Sequence, residues 1–240
     1  MSRIPVRYLP WMLRDMLLAQ GVVLFATSIV VWLIIIRISP VPPASNGLVI
    51  VRSIVQQAGW PFILYCSSGI VSTDRLQGYY RSIFSRPVSP PWYYLQRWLV
   101  GAFIVALVVP VVTMFLVFAL GSFPLSWTMM GQLELTYFLA GGLTFLVSTT
   151  WRADWLIALL VLVLQSILAG FSAAPAAMQM HLSPFWDFIF RILPPFHLVS
   201  VNAQPLTGPH LAHVLLYGAG LVLAALALLR WRPLGAGGRS

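Results

Sequence analysis

Composition and charge set the first limits on what this chain can be. Of its 240 residues, 60% are hydrophobic and only 8% are charged, a balance that could not keep the surface of an ordinary soluble domain in contact with water. The net charge of +9 comes from arginines spread between long apolar runs, which argues against nucleic acid as a partner and favours a membrane surface. The single cysteine, Cys66, excludes an intrachain disulfide and a cysteine metal cluster.

Long apolar runs predict the number of membrane-spanning helices. A bilayer core about 30 Å thick requires roughly 20 apolar residues in a helix, and six windows of about that length occur here. We therefore expect an all-α polytopic membrane protein with one domain over residues 1–240. The first window is too long for a secretory signal core and lacks a cleavage pattern, so we expect it to stay in the mature protein. The predicted spans are Leu17–Ile36, Ile54–Val71, Leu99–Leu120, Gly131–Thr150, Trp155–Ala173 and Leu211–Leu229.

The arginines predict the orientation of these spans, because loops on the cytoplasmic side carry an excess of positive charge. With the N-terminus inside, only Arg37, Arg52 and Arg191 of the 14 arginines fall in outer loops. Both termini are then expected to be cytoplasmic.

A short amphipathic helix is predicted on the cytoplasmic side between the second and third spans, over residues 74–86. Its apolar positions recur at i, i+3, i+4, i+7 and i+8, which is one face of a helix. Asp74 suits the positive end of the helix dipole, and Pro87 interrupts the pattern at the other end. Periodicity alone leaves open whether this helix docks on a protein or lies on anionic headgroups through its arginines. The apolar stripe consists of Leu76, Tyr79, Tyr80, Ile83 and Phe84.

The segment 175–209, between the fifth and sixth spans, is too long and too apolar for a plain loop. Ser183 can cap a helix whose first residue is Pro184, and the pair Pro194-Pro195 would end it. We expect an external or re-entrant helical hairpin here, covered by protein or by the membrane interface.

The order of these elements resembles the ABC-2 type transporter permease family, which has six spans, both termini inside, an amphipathic cytoplasmic helix after span two and short external helices before span six. The resemblance covers nearly the whole chain and is most specific in GYYRSIFSRPVSPPWYYLQRWLVG. The residues that match the family pattern are Gly78, Ile83, Phe84, Pro87 and Ser89. Arg81 departs from it, since many members carry a glutamate there.

The resemblance implies a permease subunit of an ATP-driven transporter, an exporter in the inner membrane of a prokaryote. In the family the amphipathic helix fits a groove on a separate ATPase, so the five stripe residues would form the coupling contact. The sequence has no G-x-x-x-x-G-K-[ST] loop to cradle ATP phosphates. ATP and Mg²⁺ would therefore bind to the partner ATPase, and this chain would catalyse no reaction and carry no cofactor. Family architecture also implies a second permease subunit, identical or related, while the substrate stays open.

Glu134 is the only acidic residue inside a predicted span. Burying its charge in lipid would cost about 3 kcal/mol. We therefore expect it to face protein or water, either in a translocation path or in a structural hydrogen bond. Arg152 and Asp154, in the turn before the fifth span, are expected to form a solvated cap.

Four histidines fall on the predicted outer side: His181, His197, His210 and His213. His210 and His213 have an i, i+3 spacing that can ligate a metal or haem, but no carboxylate accompanies them, so hydrogen-bonded or interfacial histidines are the simpler interpretation.

Two other functions stay open: a haem- or cofactor-export permease of the cytochrome-maturation type, which the family includes, and a non-transporting membrane scaffold or sensor. An intramembrane hydrolase is disfavoured, because no Ser/His or paired-Asp set falls at matching depth in the spans.

Overall fold

The computed structural model describes residues 8–14, 59–84, 88–120, 127–172, 184–199 and 208–231. Within these ranges the chain forms helices, turns and connecting segments and no β-strand, which agrees with the predicted all-α class. The predicted span Leu17–Ile36 lies outside the described residues.

Short helices come first in the described part of the chain. α1 covers residues 9–14 and α2 covers residues 59–67. After a turn, α3 (Ser72–Gln77) and α4 (Tyr79–Phe84) follow closely on each other. α2 falls within the second predicted span, and α3 and α4 fall where the amphipathic helix is predicted.

Four long helices follow the predicted spans three to six. Each extends beyond or nearly coincides with its apolar window, because these charge-poor runs are rich in leucine and alanine, which favour a helix. The third begins at Pro90 rather than at Leu99, since prolines are tolerated in the first turn of a helix. The long helices are α5 (Pro90–Leu120), α6 (Trp127–Ser148), α7 (Asp154–Ser172) and α9 (Gly208–Trp231).

A short helix and a 3-10 turn lie between α7 and α9. α8 covers Pro184–Ile192, and the 3-10 turn covers Phe196–Leu198. α8 starts at the proline expected to follow a serine cap and ends before the proline pair expected to stop it. The part of the predicted hairpin segment that the structure describes, residues 184–199, therefore has its helix at the expected place.

α6 is the centre of the helix bundle and packs against α5, α7 and α9. Its contact with α9 is close because Gly142 and Gly218 lie at the interface. A Cβ on Gly142 would lie 3.3 Å from the Gly218 carbonyl oxygen, and one on Gly218 would lie 2.4 Å from the Phe138 ring. On the α5 side, the Tyr137 hydroxyl donates to the Trp98 carbonyl oxygen at 2.7 Å. Small residues at such interfaces let helix backbones approach closely, as is common in membrane proteins.

Two helices of the described residues are long and apolar enough to cross a membrane, Met130–Ser148 within α6 and Gly208–Trp231. They differ in burial, since 56% of the apolar window is buried in the first and only 22% in the second. α9 therefore presents apolar side chains such as Leu216 and Leu223 on its outer face, where they are 75% and 64% exposed. Helix length, composition and this exposed apolar surface favour membrane association.

Candidate functional site

The segment predicted to be one amphipathic helix is two helices. α3 ends at Gly78, whose φ of 71° lies in the left-handed region that glycine adopts without strain. The chain restarts as α4, where the Arg81 N–H donates to the Gly78 carbonyl oxygen at 3.1 Å. The prediction of one continuous helix over residues 74–86 was therefore wrong, because Gly78 ends α3 and changes the direction of the chain. Residues 85 and 86 lie outside the described residues.

The first part of the predicted apolar stripe faces outward. Leu76 is 59% exposed and Tyr79 is 52% exposed. The side chain of Tyr80 is not among those that the structure describes. Leu76 and Tyr79 are thus placed where a partner protein could contact them, and their role in coupling stays a prediction.

The second part of the stripe faces the bundle. Ile83 and Phe84 are partly buried against the core. The Phe84 ring packs edge-on against Tyr93 and Tyr94, with ring centroids 5.7 and 5.9 Å apart. Replacing Phe84 would therefore disturb packing within this chain as well as any contact with a partner.

The inner side of α3 carries an ion pair. Asp74 is 4% exposed and accepts a hydrogen bond from Arg97 Nη1 at 2.9 Å. The same nitrogen donates to the Ile70 carbonyl oxygen at 3.2 Å. Burial raises the pKa of Asp74, while the charge of Arg97 and its hydrogen bond act in the opposite direction. Because Arg97 belongs to α5, the pair attaches α3 to the first turns of the longest helix.

A second carboxylate connects the same region to the turn between α6 and α7. Asp154 is 1% exposed, and its Oδ2 accepts hydrogen bonds from the Gly69 N–H at 2.8 Å and the Ser72 hydroxyl at 3.3 Å. Its Oδ1 accepts from the Trp155 N–H at 2.9 Å. Burial raises the pKa of Asp154, and these hydrogen bonds oppose that rise. The expectation of a solvated cap was wrong for Asp154, because it binds buried donors, whereas Arg152 in the same turn is exposed.

One further hydrogen bond completes this arrangement. Arg75 Nη1 donates to the Thr149 carbonyl oxygen, in the turn that follows α6. The α3 polar cluster, as we call it, therefore joins α3 to three long helices. Its members are Ser72, Asp74, Arg75, Arg97 and Asp154.

Sequence reasoning missed this cluster as a unit, although two of its members carried a signal. The chain has only five acidic residues, so a carboxylate beside a predicted span is unusual, and Asp154 stands in that position. Arg97 stands just before another span and was interpreted only as a marker of orientation. Their meeting with α3 joins residues far apart in the chain, which no local pattern predicts.

Glu134 lies in the first turns of α6 and is partly buried. It precedes Tyr137 by three residues in α6, so the two side chains lie on the same side of the helix, and Tyr137 in turn contacts α5. The structure thus places Glu134 close to the α5–α6 interface. Its part in a translocation path stays a prediction.

At the other end of the bundle, a histidine joins the 3-10 turn to α7. The backbone N–H of His197 donates to Gln165 Oε1 at 3.1 Å. The Gln165 amide nitrogen can then donate to Nδ1 of the His197 ring. The Phe190 ring of α8 packs on the imidazole at 5.0 Å. Burial lowers the pKa of His197, and the charges of His210 and His213 lower it further. Gln165 was missed at the sequence level, although a glutamine within an apolar window was its visible signal.

The remaining histidines do not form a metal centre in the described part of the chain. His210 and His213 are exposed on the first turns of α9, and the predicted candidate His181 lies outside the described residues. Within those residues, no group of three or more His, Cys, Asp or Glu side chains could hold a metal ion.

The helix directions gather different residues at the two ends of the bundle. One, the arginine end, contains the α3 polar cluster, the α6–α7 turn, the start of α5 and the end of α9. The other, the histidine end, contains α8, the 3-10 turn and the start of α9, where the Tyr217 hydroxyl donates to the Ile192 carbonyl oxygen.

No family model, no curated protein and no solved structure matches the chain.

Proposed function

We propose that this chain is the membrane-spanning permease subunit of an ABC-2 type, ATP-driven exporter in a prokaryotic inner membrane. In this proposal the chain has six spans and cytoplasmic termini, pairs with a second permease subunit, and receives force from a separate ATPase that binds Mg²⁺ and ATP. The resemblance of the residues around Gly78–Ser89 to that family supports it. The length and apolar composition of α6 and α9 support the membrane setting.

The observation that carries the proposal is the two-sided character of α3. Leu76, on its outer side, and Tyr79, the first residue of α4, are more than half exposed. Its inner side is attached to α5 by the Asp74–Arg97 pair and to the α6–α7 turn by Asp154. A coupling element needs both properties, since a partner must hold it and its displacement must move the spans.

The distribution of arginines supports the proposed orientation. Arg75, Arg97, Arg152 and Arg230, all expected on the cytoplasmic side, lie at the arginine end. Arg191, expected outside, lies in α8 at the histidine end. The helices therefore alternate in direction in the way that positive charge on the cytoplasmic side requires.

Co-purification tests the coupling contact. The chain would be expressed with a candidate ABC ATPase subunit from its own organism, and the affinity of the two subunits would be measured in detergent. We expect Leu76→Ala combined with Tyr79→Ala to weaken assembly about thirtyfold, because truncating an anchor residue at an interface costs about 2 kcal/mol. ATP hydrolysis should then no longer respond to the permease.

A matched control separates docking from a general loss of apolar surface. Leu160 of α7 has the same exposed fraction as Leu76, 59%, and Leu160→Ala should leave assembly unchanged. Arg81→Gln should also leave it unchanged, whereas a helix that only lies on anionic lipid would lose membrane attachment with the charge. Normal assembly of the double variant would refute the coupling contact. Failure of the wild-type chain to bind the ATPase would favour a membrane scaffold or sensor.

A further inference from the structure

A groove with a volume of about 930 Å³ lies between the start of α5 and the end of α9, at the arginine end. Trp92 and Trp231 stand at its rim and are 52% and 78% exposed. Arg230 is the one charged residue among the described residues that line it. Apart from Ser89, apolar side chains form the rest of the described wall, among them Leu95, Leu226 and Leu229.

The lining has the chemistry of the boundary between water and hydrocarbon. Indole rings concentrate at the headgroup level of membranes, where one edge is wet and the ring is apolar. The apolar wall continues along the outer face of α9 to Leu223, which is 64% exposed. A ligand in this groove could therefore place an apolar chain along α9 and a polar head beside Arg230.

The size and charge of the groove limit further which ligands could bind in it. The groove falls within the roughly 300–1,000 Å³ of small-molecule sites, so a bare inorganic anion would leave most of its apolar wall in contact with water. Arg230 brings a positive charge, and no carboxylate stands among the described lining residues. The ligand that complements both this charge and this apolar wall is thus an amphiphile with an anionic head.

We infer that this groove binds the head and glycerol region of an anionic phospholipid from the cytoplasmic leaflet. The lipid phosphate pairs with Arg230, and the upper part of an acyl chain lies between Trp92 and Trp231. Basic pockets between membrane helices on the cytoplasmic side commonly hold anionic lipids in this way. The inference uses the membrane orientation proposed above for the permease but not its transport reaction or its ATPase.

Native mass spectrometry of the full-length chain in neutral detergent tests the site. Phosphatidylglycerol and phosphatidylcholine with the same acyl chains would be titrated separately, and bound lipid counted. We expect the wild type to retain phosphatidylglycerol preferentially and Arg230→Gln to weaken that binding about fivefold. Arg230→Lys should keep most of the affinity. Trp231→Ala should weaken both lipids, because the indole contacts the part that they share.

The control is Arg152→Gln, which removes another exposed arginine at the same end and should leave lipid retention unchanged. Equal retention of the two lipids by the wild type would overturn the inference. An equal loss in Arg152→Gln and Arg230→Gln would also overturn it, since the effect would then come from diffuse surface charge.

Other occupants give different results. If Arg230→Gln lowers the dimer fraction or the recovery of the ATPase while phosphatidylglycerol retention is unchanged, the groove is a protein interface and the lipid assignment is wrong. Because the lipid titration contains no ATPase, its failure leaves the permease proposal intact. Failure of ATPase assembly likewise leaves the lipid site intact.

Discussion

The two ends of the bundle are held together by different chemistry. At the arginine end, the Asp74–Arg97 ion pair joins α3 to α5, and the Asp154 carboxylate joins it to the α6–α7 turn. At the histidine end, neutral groups make the connection, with Gln165 on His197 and Tyr217 on a backbone carbonyl. The first end carries the exposed residues proposed for coupling. The second end carries the histidines of the described residues, whose side chains ordinarily titrate near neutral pH.

This difference separates two kinds of response. A protein loses much stability when one partner of a buried ion pair is removed, because the other charge is left buried without compensation. A neutral amide–imidazole contact is weaker, but a proton can break it. We therefore expect the stability of the protein to depend mainly on mutations at the arginine end. We expect its dependence on pH near neutrality to come mainly from the histidine end.

The largest effect is expected from Arg97→Ala. It removes the partner of Asp74, which is 4% exposed, and we expect a loss of about 3 kcal/mol in unfolding free energy, at the lower end for a buried pair because Arg97 keeps some contact with solvent. Unfolding in mixed micelles, followed by circular dichroism, measures it. Adding Asp74→Ala should cost little more, since the interaction is already lost. Additive effects of the two changes would show that the pair contributes no coupling energy.

Asp154→Ala is expected to be the next largest change. It leaves the Gly69 N–H and the Ser72 hydroxyl without their acceptor, and a buried unpaired donor costs about 1–3 kcal/mol. Arg152→Ala, at an exposed position in the same turn, should change stability by less than about 0.5 kcal/mol. Equal effects of the two variants in the same unfolding assay would contradict the role of Asp154 in the α3 polar cluster.

The histidine end should weaken as pH falls. Burial lowers the pKa of His197 in the folded chain, below the value of about 6.5 in an unfolded chain. Its contribution is therefore present above about pH 6.5 and is lost as pH falls through the folded pKa, with a slope of at most about 1.4 kcal/mol per pH unit. Protonation would also place an N–H of the ring against the amide nitrogen of Gln165.

Thermal unfolding of the wild type and His197→Asn across about pH 5–8 measures this effect. The asparagine oxygen can still accept from Gln165 but does not titrate, so the wild type should lose its advantage over this variant on acidification. His213→Asn removes one of the charges that lower the pKa of His197, so this variant should lose less stability than the wild type on acidification but should still lose some. A stability difference between wild type and His197→Asn that is independent of pH would contradict the assignment.

The smallest effects on stability are expected on the outward side of the arginine end. Leu76→Ala and Tyr79→Ala should each change the unfolding free energy by about 0.5 kcal/mol or less, because these side chains are exposed. Ile83→Ala, which removes a partly buried side chain, should cost about 1–2 kcal/mol. If Leu76→Ala proved as costly as Ile83→Ala, the outward face of α3 would be structural and not a free docking surface.

Local patterns predicted much of the helical architecture. Charge-poor runs near the length of a membrane span predicted the places of α6, α7 and α9, because length and apolar content are properties of a single segment. The pair Ser183-Pro184 and the pair Pro194-Pro195 predicted the limits of α8, because proline at the start and beyond the end of a helix acts on its own neighbours. These signals survive in the structure since no distant residue is needed to produce them.

The periodicity of apolar residues gave a wrong prediction where the backbone conformation of one residue ends a helix. The stripe from Leu76 to Phe84 has helical spacing throughout, yet the left-handed conformation of Gly78 sends its first part outward and its second part into the bundle. A glycine in a helical pattern can be tolerated or can end the helix. Packing of Phe84 on Tyr93 and Tyr94 accompanies the second outcome here.

The sequence by itself determined that this chain is helical, apolar and positively charged between its apolar runs, because those properties add up residue by residue. Only the tertiary structure decided which helix is central, since α6 and α9 are both apolar but only α6 is surrounded by other helices. It also brought Asp154 to Gly69 and Arg97 to Asp74. Pairings of this kind depend on how whole helices pack, and the same carboxylate would be a solvated cap or a buried acceptor according to the surface that reaches it.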